Sequence, residues 1–406
     1  MLTLKLAWRN IWRNKRRTLI TTTSIIIAVL LSSVMRSMQE GQYKDMIEST
    51  VGTFSGYIQV HAKGYWDEKT LDNSFQATDS LMKKLQTPEE VSGVVPRIES
   101  FALGAGKQQS RPVMVMGIDI ETEQLLSKPK ERLQKGSYFK SNSEQSVLVG
   151  HKVLQRLNMQ VGDSLVLLGQ GFRGMSATGL YPIKGTLEFP NPEMNKNLVM
   201  LPLQTAQHFL AADERLTTAA FTVENPEHIA PLVNQLKSNL TDDYEVMSWR
   251  EMMPSLVQSI EADRGSGYII LGVLYMVVGF GILGTVLMMV TERTYEFGIM
   301  LSVGTPQGKL ARILSIEILF IAMLGSAIGI LLSLPITWYF HLNPIQLTGD
   351  MAVVTESYGL QPIIPFSVEP SIFLSQALVI FIITLSFSLI PVIKASNINP
   401  VEAMRS

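Results

Sequence analysis

The chain has 406 residues, a formal net charge of -1 and no cysteine, with 46% hydrophobic and 17% charged residues. That balance averages long apolar segments with an ordinary polar domain and gives no basic excess for nucleic acid. The absence of cysteine excludes disulfides, thiol catalysis and cysteine-held metals, so any polar domain must be stabilised by its own core.

Residues 1–17 open the chain with Leu2, Leu4, Leu6, Trp8, Ile11 and Trp12 interleaved with Lys5, Arg9 and Arg13. Trp8 and Trp12 share one helix face and Arg9 and Arg13 the next, which predicts an amphipathic helix on the cytoplasmic membrane surface. The basic run Arg13-Asn14-Lys15-Arg16-Arg17 then leads into an apolar stretch over 18–35, and three more follow at 268–290, 313–340 and 371–393. A hydrocarbon core of about 30 Å needs about 20 apolar residues as helix, so each stretch is long enough to span it. The expected fold class is a polytopic α-helical membrane protein, with four transmembrane helices and a large mixed α/β extracytoplasmic domain at 36–267 between the first and second. The first stretch reads as a retained anchor. It is long, no small-x-small site follows it, and Arg36, Glu40 and Lys44 continue a helical pattern.

Lysine and arginine placement predicts orientation. The N-terminal segment, the 291–312 loop with Arg293, Lys309 and Arg312, and the tail 394–406 with Lys394 and Arg405 carry positive charge, whereas 341–370 has neither Lys nor Arg. Both termini and the 291–312 loop are expected in the cytoplasm, and 36–267 and the short 341–370 loop outside.

Within the outer domain, strand-like runs at Gly56–His61, Pro112–Ile118, Ser146–Val149 and Asp163–Leu168 alternate with helical ones at Ser80–Gln86, His151–Leu157, Leu203–Leu210 and Glu227–Leu240. Gly169–Gly179 and Phe189–Pro192 read as loops. The run Gly169-Gln170-Gly171-Phe172-Arg173-Gly174-Met175-Ser176 has the glycine spacing of a phosphate loop, but Met175 stands where lysine must be, so it is rejected. His61, His151, His208, His228 and His341 are scattered, with no H-E-x-x-H and no G-x-S-x-G elbow in the chain. Glu99, Asp119 and Asp163 read as solvated or capping carboxylates. No catalytic constellation emerges, and no cofactor or metal is expected in this chain.

A helix over Met252–Glu261 is expected to lead to a hinge or interfacial stop at Arg264, Gly265 and Gly267. Gly272, Gly279, Gly281 and Gly284 in the second span and Gly325-x-x-x-Gly329 in the third allow close helix approach, within one subunit or across a dimer seam. The 291–312 loop contains a short amphipathic segment, charged at Glu292, Arg293 and Glu296 and apolar at Phe297, Met300 and Leu301, stopped by Gly304 and Pro306. Such a helix needs something to pack on. Glu317, just inside the third span, is costly unless paired, and Arg312 or Arg293 is within reach in sequence; a gating role is the alternative.

Arg293-Thr294-Tyr295-Glu296-Phe297-Gly298-Ile299-Met300-Leu301-Ser302-Val303-Gly304-Thr305 resembles the R-T-x-E-I-G-I-x-x-A-x-G-A loop of ABC-transporter permeases of the MacB/FtsX superfamily, with Phe297, Ser302 and Thr305 as departures. Leu6-Ala7-Trp8-Arg9-Asn10, Val94-Val95-Pro96-Arg97, Val161-Gly162-Asp163 and the terminal Asn399-Pro400-Val401-Glu402-Ala403-Met404-Arg405 are similar to further signatures of that superfamily, and Gly56–Trp66 is similar to its LolC/LolE-type members. The resemblance implies that the 291–305 helix docks on a cytoplasmic ABC ATPase dimer carrying ATP and Mg, through Glu292, Arg293, Glu296, Phe297 and Gly298, with Ile299 and Gly304 in the same helix. It also implies a second permease chain, identical or related, and a periplasmic lipoprotein chaperone or adaptor as partners in a bacterial inner membrane. Lipoprotein release is the function it favours, with Ile26, Val29, Leu30, Ile270, Leu274 and Met276 lining a cavity for acyl chains. MacB-like export of an amphiphile and FtsX-like signalling to a cell-wall hydrolase are the alternatives.

Overall fold

The computed structural model describes residues 2–13, 15–86, 88, 91–106, 109–223, 226, 229–357, 360–398 and 403. Asn14, His228 and the terminal signature at 399–405, apart from Ala403, lie outside them. The chain divides into two units: Met1–Lys44, Ile260–Gln346 and Ile363–Ser406 form the first, and Asp45–Ser259 with Leu347–Pro362 the second.

The first unit is helical. Its helices are α1 (Leu2–Arg13), α2 (Lys15–Ile47), α3 (Pro254–Glu292), α4 (Thr294–Ser302), α5 (Gln307–Leu342) and α6 (Pro370–Ser396), beside a short antiparallel pair of Ile345–Gln346 with Ile363–Ile364. Among the described residues four helices are long and apolar enough to cross a membrane: the run Thr18–Ser55, which is α2 continued by π-helical turns, and α3, α5 and α6. The four apolar stretches fall inside these helices, which run well past them at several ends.

Small residues set the contacts between these helices. A Cβ on Gly325 would stand 2.7 Å from Ile25 Cγ2, and one on Gly329 2.7 Å from Val29 Cβ, so α5 lies directly on α2. Gly279 of α3 faces the Phe387 ring of α6 in the same way. Ile25, Val29, Ile282, Val286, Ile318 and Ile380 belong to one buried cluster here. Gly325, Gly329 and Gly279 therefore serve packing within the chain, whereas Gly272, Gly281 and Gly284 face open space. The hinge or interfacial stop expected at Arg264, Gly265 and Gly267 does not break the helix: all three lie inside the continuous α3. Gly267 faces the end of the Gln39 side chain, whose Nε2 a Cβ there would meet at 2.2 Å and push aside.

The second unit is built on a mixed sheet. Its strands are β1 (Ile58–Ala62), β2 (Val91–Ala105), β3 (Ser110–Ile118), β4 (Leu133–Gly136), β5 (Val147–Gly150), β6 (Ser164–Gln170), β7 (Ser176–Leu187), β8 (Leu198–Pro202), β9 (Thr218–Val223) and β10 (Tyr244–Ser248). Among the described residues they pair in the order β10-β1-β9-β2-β3-β8-β5-β7-β4, with β6 paired to both β2 and β7. The β3–β8 and β5–β7 pairs are parallel and the rest antiparallel. Central strands are apolar on both faces because both are covered. Val113, Val115, Val147, Val149, Val199 and Leu201 enter one core, and Met116, Leu148, Leu198 and Met200 the other. Helices Asp79–Leu85, His151–Leu157, Leu203–Phe209 and Ile229–Asn239 fall where helical periodicity placed them.

Two expectations change here. Gly169–Gly179 is mostly β-hairpin, with β6 ending at Gln170 and β7 beginning at Ser176; a phosphate loop needs a strand leading into a helix, which this is not. Glu99 is not a solvated carboxylate. Its side chain is 19% exposed, and burial pushes its carboxyl above the usual range although Arg97 and Lys69 oppose the shift. Asp119, by contrast, is a capping group, accepting hydrogen bonds from the Thr122 backbone N–H at 2.9 Å and from Asn142 Nδ2 at 2.6 Å.

Candidate coupling site

Helix α4 is short and is held at both ends. Arg293 stands at its N-cap, and it closes through Val303 and Gly304, where φ is +96°, a conformation glycine adopts without a Cβ clash. The Thr305 N–H donates to the Met300 carbonyl at 3.0 Å, and Pro306 then caps α5. An isolated nine-residue helix is marginal in water, so side-chain contacts must hold it.

Arg293 supplies them. Its Nη1 donates to Glu317 Oε2 at 3.0 Å and to Oε1 at 3.2 Å, and its Nε to Glu296 Oε2 at 3.4 Å. Glu296 in turn accepts from Arg13 Nη2 at the end of α1. The Asn10 side chain of α1 also hydrogen-bonds Glu317. A chain of charges, Glu317–Arg293–Glu296–Arg13, thus joins α5, α4 and α1. Arg293 is 5% exposed and Glu317 fully buried. Removing one partner of such a buried pair strands the other, at a cost of about 3–5 kcal/mol. The Arg293 guanidinium also lies 5.1 Å from the Phe297 ring centroid.

The expected docking face is therefore divided. Arg293, Phe297 and Gly298 turn inward, Phe297 being only 2% exposed in the cluster of α2, α3 and α5 side chains, so they hold α4 rather than offer it to a partner. With Arg293 at its N-cap tied to Glu317, the side of the helix that carries Phe297 and Gly298 is the one packed on the other helices. Glu292, Tyr295, Glu296, Ile299, Val303 and Gly304 are exposed, Val303 to 82%. Glu317 pairs with Arg293 and not with Arg312, one of the two arginines in reach. Sequence reasoning missed Asn10 and Arg13, which meet this site only across a long separation in the chain. The signals were their place on an amphipathic helix, where Trp8 also meets Phe320 of α5 edge-to-face at 5.7 Å, and, for Asn10, the signature over 6–10.

The six span residues expected to line an acyl cavity are not equivalent. Val29 is sealed against Gly329, whereas Ile270 and Met276 are 55% and 58% exposed on α3, and Ile26, Leu30 and Leu274 are half-buried. Close packing of α2 on α5 takes Val29 out of any open wall.

Between α1, α4 and α5 lies a cavity of about 320 Å³. Arg9, Arg13, Arg293 and Glu296 form its polar wall, and Ile299, Met300 and Ile313 its apolar one.

Residues 18–239 match the MacB-like periplasmic core domain family, and residues 268–400 the FtsX-like permease C-terminal family. The lipoprotein-releasing system transmembrane protein LolC of Xylella fastidiosa is 24% identical over 331 residues, 79% of each chain. The lipoprotein-releasing system transmembrane protein LolE of Haemophilus influenzae is 22% identical over 352 residues, 80% of each. The pyoverdine export ATP-binding/permease protein PvdT of Pseudomonas aeruginosa is 24% identical over 420 residues, 99% of this chain but 58% of that one. Four membrane-length helices, a large α/β domain between the first and second, and a clamped short helix between the second and third coincide with these two family regions, and the chain belongs to the MacB/FtsX superfamily of ABC transporter permeases.

Proposed function

We propose that this chain is the permease subunit of an inner-membrane ABC transporter that releases lipoproteins toward the outer membrane, driven by a separate cytoplasmic ATPase dimer that binds ATP and Mg. Both termini and α4 lie in the cytoplasm, on the lysine and arginine distribution, and a second permease chain completes the pair. The observation that carries the reading is reach: likeness to LolC and LolE extends over about four fifths of both partners. Alignment with PvdT leaves over two fifths of that longer protein uncovered. That second likeness does span 99% of this chain, so export of an amphiphile is the second reading.

In this reading α4 inserts into a groove of the ATPase with Tyr295, Ile299 and Val303 as apolar anchors and Glu292 and Glu296 beside them, while Arg293, Phe297 and Gly298 fix its angle. The test is co-purification in mild detergent, followed by mass spectrometry of everything bound, with wild type against Tyr295→Asp/Val303→Asp. Loss of the ATPase from a variant that still folds, with triacylated protein bound to wild type, is the expected result. Undiminished ATPase binding refutes the docking face, and an adaptor without lipoprotein moves the function to export.

A further inference from the structure

The cavity between α1, α4 and α5 has a surplus of positive charge. Arg293 is matched by Glu317 and Arg13 by Glu296, but Arg9 has no acidic partner among the described residues. The Arg13–Glu296 pair is also half open, its side chains 51% and 47% exposed, so water screens it and a competing anion displaces it at little cost. Arg9 and Arg13 stand one helical turn apart on the same face, about 5–6 Å between their Cβ atoms, which suits two guanidiniums sharing one phosphate.

Two further features say what kind of anion fits. Trp8 and Trp12, on the adjoining face of α1, are 51% and 57% exposed and meet each other edge-to-face. Amphipathic indoles prefer the headgroup layer, so they hold α1 at the depth where lipid phosphates lie. The far wall of the cavity is apolar, which a free inorganic anion does not use and the glycerol and upper methylenes of a lipid do. Basic pockets beside membrane helices recognise anionic headgroups by this combination.

We propose that this cavity binds the headgroup of an anionic phospholipid, with Arg9 and Arg13 on its phosphate and Met300 and Ile313 against its glycerol and first methylenes. The site goes beyond the transport reading and does not depend on which substrate is moved. Lipid phosphate competes with Glu296 for Arg13. Its arrival loosens the tie between α1 and α4, while the buried Arg293–Glu317 pair keeps α4 on α5.

The experiment is native mass spectrometry of the full chain in mild detergent, titrated with phosphatidylglycerol or with phosphatidylcholine of the same acyl chains. Phosphatidylglycerol should be retained preferentially, and Arg9→Gln/Arg13→Gln, which removes two charge-assisted contacts, should weaken its retention by at least about tenfold. Lys15→Gln/Arg16→Gln removes the same charge outside the cavity and should leave retention nearly unchanged. Glu296→Gln frees Arg13 and should strengthen retention, a gain that unfolding cannot produce. Equal loss in both arginine-containing double variants reduces the effect to diffuse attraction by a basic flank and overturns the site. So does the absence of a headgroup preference, or glycerol phosphate binding the lipid-free protein as tightly as the lipid does.

Discussion

In the outer domain the His61 ring is fully buried, stacked on Tyr65 with centroids 5.1 Å apart. Its Nδ1 donates to the Thr217 carbonyl at 2.8 Å, and its Nε2 is buried without a partner. Protonating Nε2 means burying both a charge and an unsatisfied N–H, so burial lowers the pKa to about 4, with the Lys69 charge adding to the shift. Below about pH 6.5 an unfolded chain binds a proton at this ring and the native chain does not, so stability falls as pH drops toward 4. Between pH 7.5 and 5 the loss from this one group is about 2 kcal/mol. Urea unfolding followed by the fluorescence of Trp66, which lies 5.4 Å from His61, should show the midpoint falling with pH in wild type and a shallower fall in His61→Phe. Equal slopes in the two proteins contradict the assignment. Sequence marked His61 only as one scattered histidine, because burial depends on β1 lying inside the sheet. The same limit applies to Glu99 and to Arg97, whose guanidinium is fully buried against Glu123 at 2.6 Å although the Val94–Arg97 motif was recognised. A motif names a residue; the neighbours brought in from β9 or the 122–125 turn decide its charge.

Helix contacts in the membrane unit divide glycines by face. Gly329 of α5 touches Val29, whereas Gly281 of α3 has open space around it. A leucine at 329 must push α5 off α2, and overpacking of this kind costs about 1–3 kcal/mol. Gly329→Leu should therefore lower the melting temperature of the detergent-solubilised single chain by several degrees, with Gly281→Leu leaving it unchanged or raising it through better helix propensity. Similar melting temperatures for the two would show that α5 does not rest on α2 as closely as these distances require. The small-residue pattern was legible in the sequence, but which glycines face inward was not, since that depends on the rotation of α3 and α5 against their neighbours. The loop assigned to Gly169–Gly179 failed for a related reason: glycines that permit a tight hairpin look the same in sequence as glycines that keep a loop irregular.

Across the whole molecule, span number and order were readable because about 20 consecutive apolar residues are hard to explain otherwise. The polar continuation of α2 was readable from Arg36, Glu40 and Lys44, and a helix was expected over 252–261; what was not readable is that this helix runs into the second span without a stop at 264–267. At 1.5 Å per residue, the 33 residues of α2 and 39 of α3 reach about 50 and 58 Å, against a hydrocarbon core of about 30 Å. A helix that passes from the bilayer into the sequence of the outer domain without a break carries a push or a rotation, whereas a flexible joint absorbs it. In the proposed transporter the rods are therefore part of the mechanism, and Gly265 separates the rod from the hinge. Nothing lies within 4 Å of a Cβ at 265, so Gly265→Ala fits and stiffens the helix by about 1 kcal/mol. If α3 acts as a rod, Gly265→Ala keeps or raises lipoprotein release in reconstituted membranes. Gly-Gly-Ser-Gly inserted after Ala262 should instead abolish release while ATPase binding and ATP hydrolysis persist. Impaired release in Gly265→Ala would restore the hinge read from the sequence, and normal release with the flexible insert would mean that force reaches the outer domain by some path other than α3.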